Sequence, residues 1–365
     1  MKRIIFTVTN DLTYDQRMNR ICGSLAKAGY EVALVGRKRK NSLPLRDSGF
    51  EQIRLPCWFD KGFLFYAEYN LRLFFLLLFA KTDAVCAIDL DTVIPCILAT
   101  EIRKKKRIYD AHELFTEMKE VRTRPRVYRF WKRIEKWAVP KFHYCYTVGE
   151  SIANIFKDEY NREFEVIRNM PLPRAITVTA KKERFILYQG AVNEGRGFEF
   201  IIPAMKRISV PLVICGDGNY MPQLKELIRS HGVEDKIVLK GMLLPSELWQ
   251  ITQEAYIGIN FTEKEGLNNY LCLPNKFFDY IQADLPQVTN NYPEYRKINS
   301  EYHVALLIDE MSQECIAEAV NKLIDDSSLY EQLASNAAKA RSVLHWDNEE
   351  LKLLSFYNKV FSDKP

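Results

Sequence analysis

Eight cysteines are scattered over 365 residues with no CxxC pair, and none has a histidine at metal-ligand spacing. That argues against a structural zinc site and reads as reduced, mostly buried thiols of a cytosolic protein. Long hydrophobic runs are also missing. The most apolar stretch, LRLFFLLLFA at 71–80, is too short to span a bilayer, and Glu68 and Arg72 interrupt its extension. Lys2 and Arg3 run straight into IIFTV, so no signal peptide is expected. There is no low-complexity tract. Neither a P-loop nor a GxGxxG fingerprint occurs, which weakens NTPase and dehydrogenase readings. No RRM- or KH-type signature appears, so nucleic acid is not an expected partner.

What is present is enough apolar sequence, 47% of residues, for a large core, and length alone suggests two domains. Short β-rich runs alternate with helical stretches. KRIIFTVT, YEVALVG, FEQIRL, AVCAID, RIYDA and HYCYTVG are expected strands of the first half. RFILYQG, PLVICG, KIVLKG, YIGINF, LPQVT and HVALLI repeat the scheme in the second. Such alternation predicts α/β architecture with parallel sheets covered by helices on both faces. The pattern restarts after NMPLPRAITVTAKKE, so the expected domains are 1–170 and 184–345, joined by a linker at 171–183. Beyond 309 three helices are expected, with Ser327 or Ser328 as N-cap of the second. Charge divides unevenly. Residues 1–170 carry 31 Lys and Arg against 21 Asp and Glu, leaving 21 against 26 for the remainder of the 52 and 47. A basic half suggests an anionic partner.

Ligands of open parallel sheets bind beyond the carboxyl ends of the strands. Four loops there stand out in the second half. YQGAVNEGRGFEF supplies Gly190, Gly195 and Gly197 with Arg196 at a helix start. CGDGNY supplies Gly216 and Asp217. KGML supplies Lys240, Gly241 and Met242, and LPNKFFDYIQADLPQV opens a helix on Asn275 and Lys276 with Asp279 inside it. Glycines let backbone amides approach an anion, and a helix N-terminus adds partial positive charge. Taken singly each has a plain alternative: a tight turn, a solvated arginine, a polar helix position.

In combination and order, these loops resemble the donor half of the GT-B glycosyltransferases, the retaining family 4 (group 1) type. TNDLTYDQRMNRICGSLAKAGYEVALVG is similar to the group's opening strand, acceptor loop and helix, and YDAHELF to its fourth-strand motif. HWDNEELKLL is similar to its C-terminal helix entry. The resemblance implies two Rossmann-like domains facing across a cleft, with helix 346–361 packing back on the first. It implies a metal-independent transferase moving a sugar from a nucleotide-sugar co-substrate, UDP- or GDP-linked, to a hydroxyl with retention of configuration, with no other cofactor. Lys276 and Arg196 would neutralise the departing diphosphate, Pro274 and Asn275 would aim the helix amides at it, and Asp279 would contact ribose. Gly216, Asp217 and Lys240 to Met242 would line the base pocket. His112 would lie near the reacting sugar, with Asp15, Arg17 and Glu113 on the acceptor side.

The sequence departs from the family in places. Eight residues before Asp279, where the group has its first acid, stands Leu271, with Glu265 or Asn268 as substitutes. Ala191 follows the first glycine of the donor loop where the family often has arginine. Two other readings therefore stay open, a degenerate sugar-nucleotide-binding subunit and a nucleotide-sugar epimerase on the same frame. KEVRTRPRVYRFWKRIEKWAVPK, 119–141, reads as a basic aromatic helix suited either to solvent or to an anionic membrane surface. The second option fits a lipid-linked glycan acceptor, polysaccharide or glycoconjugate synthesis, and a cytoplasmic protein peripheral on the inner membrane face.

Overall fold

The structure, a computed structural model, describes residues 1–13, 15–177 and 184–363. The chain divides into two compact units, Met1–Asn169 with Glu349–Pro365, and Met170–Asn348. Residues 178–183 of the expected linker lie outside the described residues. Thr177, just before them, donates its backbone N–H to Gln253 Oε1 of the second unit at 2.7 Å.

The first unit holds seven strands, β1 (Arg3–Thr7), β2 (Glu31–Lys38), β3 (Glu51–Pro56), β4 (Ala84–Ile88), β5 (Lys106–Ala111), β6 (Tyr144–Thr147) and β7 (Glu165–Val166). They form one parallel sheet in the order β3-β2-β1-β4-β5-β6-β7. The two-residue β7 carries too short a pattern to be read from sequence. Between the strands run α1 (Gln16–Lys27), α2 (Gly62–Phe79), α3 (Val93–Arg103), α4 (Lys119–Arg122), α5 (Pro125–Ala138) and α6 (Glu150–Tyr160). β4 is buried at every position, as a strand covered on both faces must be.

The second unit repeats the scheme with six strands, β8 (Ile186–Gln189), β9 (Leu212–Cys215), β10 (Ile237–Gly241), β11 (Ile257–Asn260), β12 (Gln287–Asn290) and β13 (Ala305–Ile308). Their order is β10-β9-β8-β11-β12-β13, again parallel. Its helices are α7 (Phe198–Ala204), α8 (Met221–His231), α9 (Pro245–Glu254), α10 (Leu267–Tyr270), α11 (Asn275–Gln282), α12 (Pro293–Tyr302), α13 (Gln313–Asp325) and α14 (Ser327–Arg341). The last helix, α15 (Trp346–Ser362), starts in this unit and runs into the first, where Tyr357 packs 6.0 Å from the Phe6 ring.

Three expectations are corrected. Asp326, not Ser327 or Ser328, caps α14, because its carboxylate accepts from the Leu329 amide at 2.9 Å. The basic stretch 119–141 is not one helix. Pro125 opens α5 at its first turn and pushes Arg124 out of the helical region, so α4 ends before it. The apolar run at 71–80 belongs to an 18-residue helix, α2, which is long and apolar enough to cross a membrane by length and composition. Glu68 does not interrupt it. Its carboxylate accepts from the Trp58 and Phe59 amides and pairs with Arg72 at 2.8 Å, so both charges are compensated locally.

Candidate functional site

In each sheet the winding reverses between the first strand and its later neighbour, β1 with β4 and β8 with β11, so the loops leaving those strands part and open a crevice. Most of the candidate residues lie on these loops or beside them.

In the second unit the ends of β8, β9 and β10 are three glycines side by side. Gly190 donates to Cys215 O at 2.9 Å, and Gly216 donates to Gly241 O at 2.8 Å. Gly216 has φ +149, and a Cβ there would lie 1.8 Å from the Gly190 carbonyl oxygen. Only glycine meets both demands. Gly197 (φ +74) precedes α7, with Met311 Sδ 2.9 Å from where its Cβ would be. The Gly195 carbonyl accepts the Glu263 amide at 2.9 Å, so the turn after β11 lies against the glycine loop. Arg196 reaches the same turn, its Nη1 3.4 Å from Thr262 Oγ1.

α11 carries the remaining parts. Its face of Phe277, Phe278 and Ile281 packs with Tyr295 and Val304. Tyr280 fixes its rotation by donating its hydroxyl to the Leu187 and Ile259 carbonyls, at 3.1 and 3.2 Å. Gly258 makes room for that ring, which a Cβ would meet at 2.6 Å. The helix N-terminus has Pro274 in extended conformation and no side-chain cap, and the Phe277 amide turns back to the Pro274 carbonyl at 3.1 Å. Lys276 Nζ stands 3.8 Å from the centre of the Tyr188 ring and beside Gly190. Burial, reinforced by the nearby Arg196 charge, pulls the Lys276 pKa down to about 7. Among the described residues no carboxylate pairs with it.

Asp279, on the same helix, accepts from Gln189 Nε2 at 3.0 Å, and Gln189 accepts in turn from Thr252 Oγ1 at 2.8 Å. Asp217 is exposed, and its carboxylate accepts from the next amide, Gly218. Lys240 and Met242 are exposed at the end of β10, and Asn275 is exposed at the start of α11. Leu271 is buried, Glu265 exposed and Asn268 half-buried. Gly190, Gly195, Gly197, Gly216, Gly241, Arg196, Lys276 and Asp279 are thus gathered around the ends of β8 and β11.

A second cluster lies in the first unit. Arg17 is buried and pairs with Asp110 Oδ1 at 3.0 Å while donating to the Ile167 carbonyl at 3.2 Å. Asp110 Oδ2 lies 2.8 Å from His112 Nε2, and Asp89 accepts from the His112 amide at 2.8 Å. Burial opposes charge on Asp110, but Arg17 and His112 together hold its pKa below the usual carboxylate value. Burial likewise disfavours the imidazolium, yet Asp110 and Asp89 hold the His112 pKa above the ordinary one. Asp89 itself is pushed up to about 7 by burial, with His112 opposing, and sits at φ +54, ψ 177, a region few non-glycine residues occupy. Across the crevice Thr9 Oγ1 donates to Asp91 at 2.5 Å. Glu113 is exposed next to this group. Asp15 caps α1 by accepting from the Met18 amide at 2.9 Å, and Arg17 is committed to Asp110, so neither is a free surface contact.

Asp89, Asp110, Gln189 and Glu263 were not singled out by any motif in the sequence. Asp89 follows β4, Asp110 and Gln189 close their strands, and Glu263 lies in the turn after β11, so the rule that ligands meet strand carboxyl ends was the available signal. Among the described residues no group of three or more His, Cys, Asp or Glu side chains converges as a metal site.

Comparison with known proteins bears on the family and the fold. Residues 16–170 match the family model for Glycosyltransferase Family 4, and 171–340 match that for Glycosyl transferases group 1. A curated relative, alpha-D-kanosaminyltransferase of Streptomyces kanamyceticus, is 23% identical over 42% of this chain, and the match spans 39% of that protein. The chain thus aligns with well under two thirds of that relative's length. Sucrose-phosphate synthase from Thermosynechococcus elongatus superposes with a TM-score of 0.81 over 99% of this chain and 100% of that one, at 14% identity. HepE of Anabaena, solved with UDP and glucose, superposes with a TM-score of 0.74 over 100% of both chains, at 13% identity. The chain belongs to the group 1 glycosyltransferases and has their GT-B fold of two parallel-sheet, Rossmann-like domains.

Proposed function

We propose that the chain transfers a sugar from a nucleoside diphosphate donor, uridine- or guanosine-linked, to a hydroxyl acceptor with retention of configuration and without a metal ion. The observation that carries this reading is Lys276, drawn down to about 7 beside Arg196, with no carboxylate to compensate it and an uncapped helix N-terminus next to it. Two half-buried cations held near each other, one of them strongly desolvated, cost free energy in the empty protein, and a diphosphate would relieve it. Cleaving the sugar–phosphate bond builds negative charge on the departing diphosphate. Fixed cations and amides at that point stabilise the transition state more than the ground state. Gly190 leaves room for a phosphate at the backbone beside the Lys276 ammonium, Arg196 and Lys276 supply charge, and Asp279, oriented by Gln189, is aimed as a ribose acceptor of hydrogen bonds. That HepE was solved with UDP supports a uridine nucleotide here.

His112, held by Asp110, is proposed to stand near the reacting sugar, with Asp89 and Glu113 beside it and the hydroxyl of a sugar or lipid-linked glycan as acceptor. Eight free thiols fit a reducing compartment, and with it a cytoplasmic protein. A second reading, binding without turnover, is favoured by one observation: the position of the family's first acid is a buried leucine, Leu271. The test is a thermal-shift series with UDP, GDP, ADP, dTDP and CDP, with and without Mg²⁺, followed by donor hydrolysis. Stabilisation by one diphosphate without metal is expected, since a ligand that binds only the folded state raises its stability. No shift with any of them would overturn the donor-site reading, and a shift without hydrolysis or transfer would favour the binding subunit.

A further inference from the structure

α2 packs on the first domain with one stripe only, Phe65, Tyr69, Leu73 and Leu77, and the Tyr69 hydroxyl donates to the Val8 carbonyl. The opposite stripe is apolar too, apart from Glu68, whose charge is paired with Arg72 at 2.8 Å. Leu64, Leu71, Phe75 and Phe79 recur there at helical spacing and are 54%, 59%, 51% and 79% exposed. A helix apolar on both faces is ordinarily enclosed, and this one is covered on one side alone. Phe63, on the flank of the helix, is exposed as well and meets Phe130 of α5, with ring centroids 6.4 Å apart. α3 lies along α2 and adds exposed Leu98 and Ile102. Large apolar side chains exposed together in this way on a folded domain mark an interaction site.

The rim of this surface decides what covers it. α5 presents Arg124, Arg126, Arg129 and Arg133 to solvent, and α3 ends in Arg103 and Lys104. Among the described residues Arg124, Arg126 and Arg133 pair with no carboxylate. A second copy meeting this face about a twofold axis would set these cations against themselves, which is unfavourable. A bilayer carrying anionic phospholipid answers both features, taking apolar side chains to the acyl boundary and arginines to the phosphates.

We propose that the α2 face, rimmed by α3 and α5, is a docking surface for an anionic phospholipid bilayer, on which the protein lies without crossing it. Tyr69 and its neighbours tie the other side of α2 into the core, so the helix rests at the interface. The proposal goes beyond the transferase reading and does not depend on it.

The test is flotation of the full chain with phosphatidylcholine vesicles, with and without phosphatidylglycerol, at low and high salt. Wild-type protein is expected to float with the anionic vesicles and to be released by salt. Leu71→Ser/Phe75→Ser/Phe79→Ser, all at exposed positions, should lower partition by about tenfold or more. Arg126→Gln/Arg129→Gln/Arg133→Gln should lower it by a similar factor and remove most of the salt dependence. A single Phe75→Trp should show a blue-shifted emission on adding anionic vesicles, a reading that does not rely on the triple variant folding. Wild-type protein that stays unbound, a serine variant that floats as well as wild type, or an unshifted emission from the Phe75→Trp variant would each overturn the proposal. So would a serine variant that changes only from dimer to monomer, which would assign the face to a second copy. Retention of the diphosphate thermal shift in the serine variant separates this outcome from the fate of the donor site.

Discussion

The two domains place charged side chains at equivalent gaps in similar sheets, yet treat the charge in opposite ways. In the first, Arg17, Asp110 and His112 form an alternating series in which every buried charge has an opposite neighbour within about hydrogen-bond reach. In the second, Arg196 and Lys276 are like charges, and the lysine answers burial by giving up much of its proton affinity. A compensated cluster is a finished part of the fold that can hold an imidazole in place. An uncompensated one is left with an excess of positive charge, which the proposed diphosphate would balance.

Breaking the compensated side should have the largest effect. Arg17→Ala leaves Asp110 buried beside the imidazole alone, and urea unfolding is expected to show a loss of about 3–5 kcal/mol. A loss below about 1 kcal/mol would mean that the cluster is not the finished part described here. Gly216→Ala drives a Cβ into the Gly190 carbonyl, and should cost roughly 1–3 kcal/mol of stability while abolishing the diphosphate shift, because the strand ends must separate.

Lys276→Ala tests the contrast most directly. Affinity for the nucleoside diphosphate should fall about tenfold to a hundredfold by calorimetry, from loss of a charge-assisted contact. The empty protein should meanwhile be no less stable than wild type at pH 7. The pH dependence follows from the same side chain. Its folded pKa, about 7, lies below the ordinary lysine value of 10.5, so between these values the unfolded chain binds more protons and stability contributed by this group rises with pH. Lys276→Met should therefore be more stable than wild type at pH 6–7, with the difference fading as pH approaches 10. Diphosphate affinity of the wild type should weaken as pH rises above 7. The smallest effect is expected for Thr9→Val, which removes one hydrogen bond to Asp91 at the first domain's crevice and should cost about 1 kcal/mol in urea unfolding.

The twelve expected strand segments all carry strands, since a buried parallel strand is a short β-branched run whatever surrounds it. The order of glycine loops, Lys276 and Asp279 was legible for a similar reason, because each motif is local. The errors fell where a neighbour decides. Asp326 displaced the serines as cap of α14 because its own carboxylate was nearer the free amides. Pro125 split the basic stretch, and Glu68 was neutralised by amides ten and nine residues before it in the chain.

By itself, then, the sequence determined the alternation of strands and helices, two domains' worth of core, and a set of glycine-rich loops at strand ends. Periodicity, turn chemistry and spacing are properties of neighbours along the chain. The tertiary structure alone decided which charges meet. Arg17 lies 93 residues from Asp110, and Gln189 lies 90 from Asp279, and no local pattern couples them. It alone decided that α2 is covered on one side and bare on the other. Burial and the pairing of charge depend on which surfaces the fold brings together, and that is written in no single stretch of sequence.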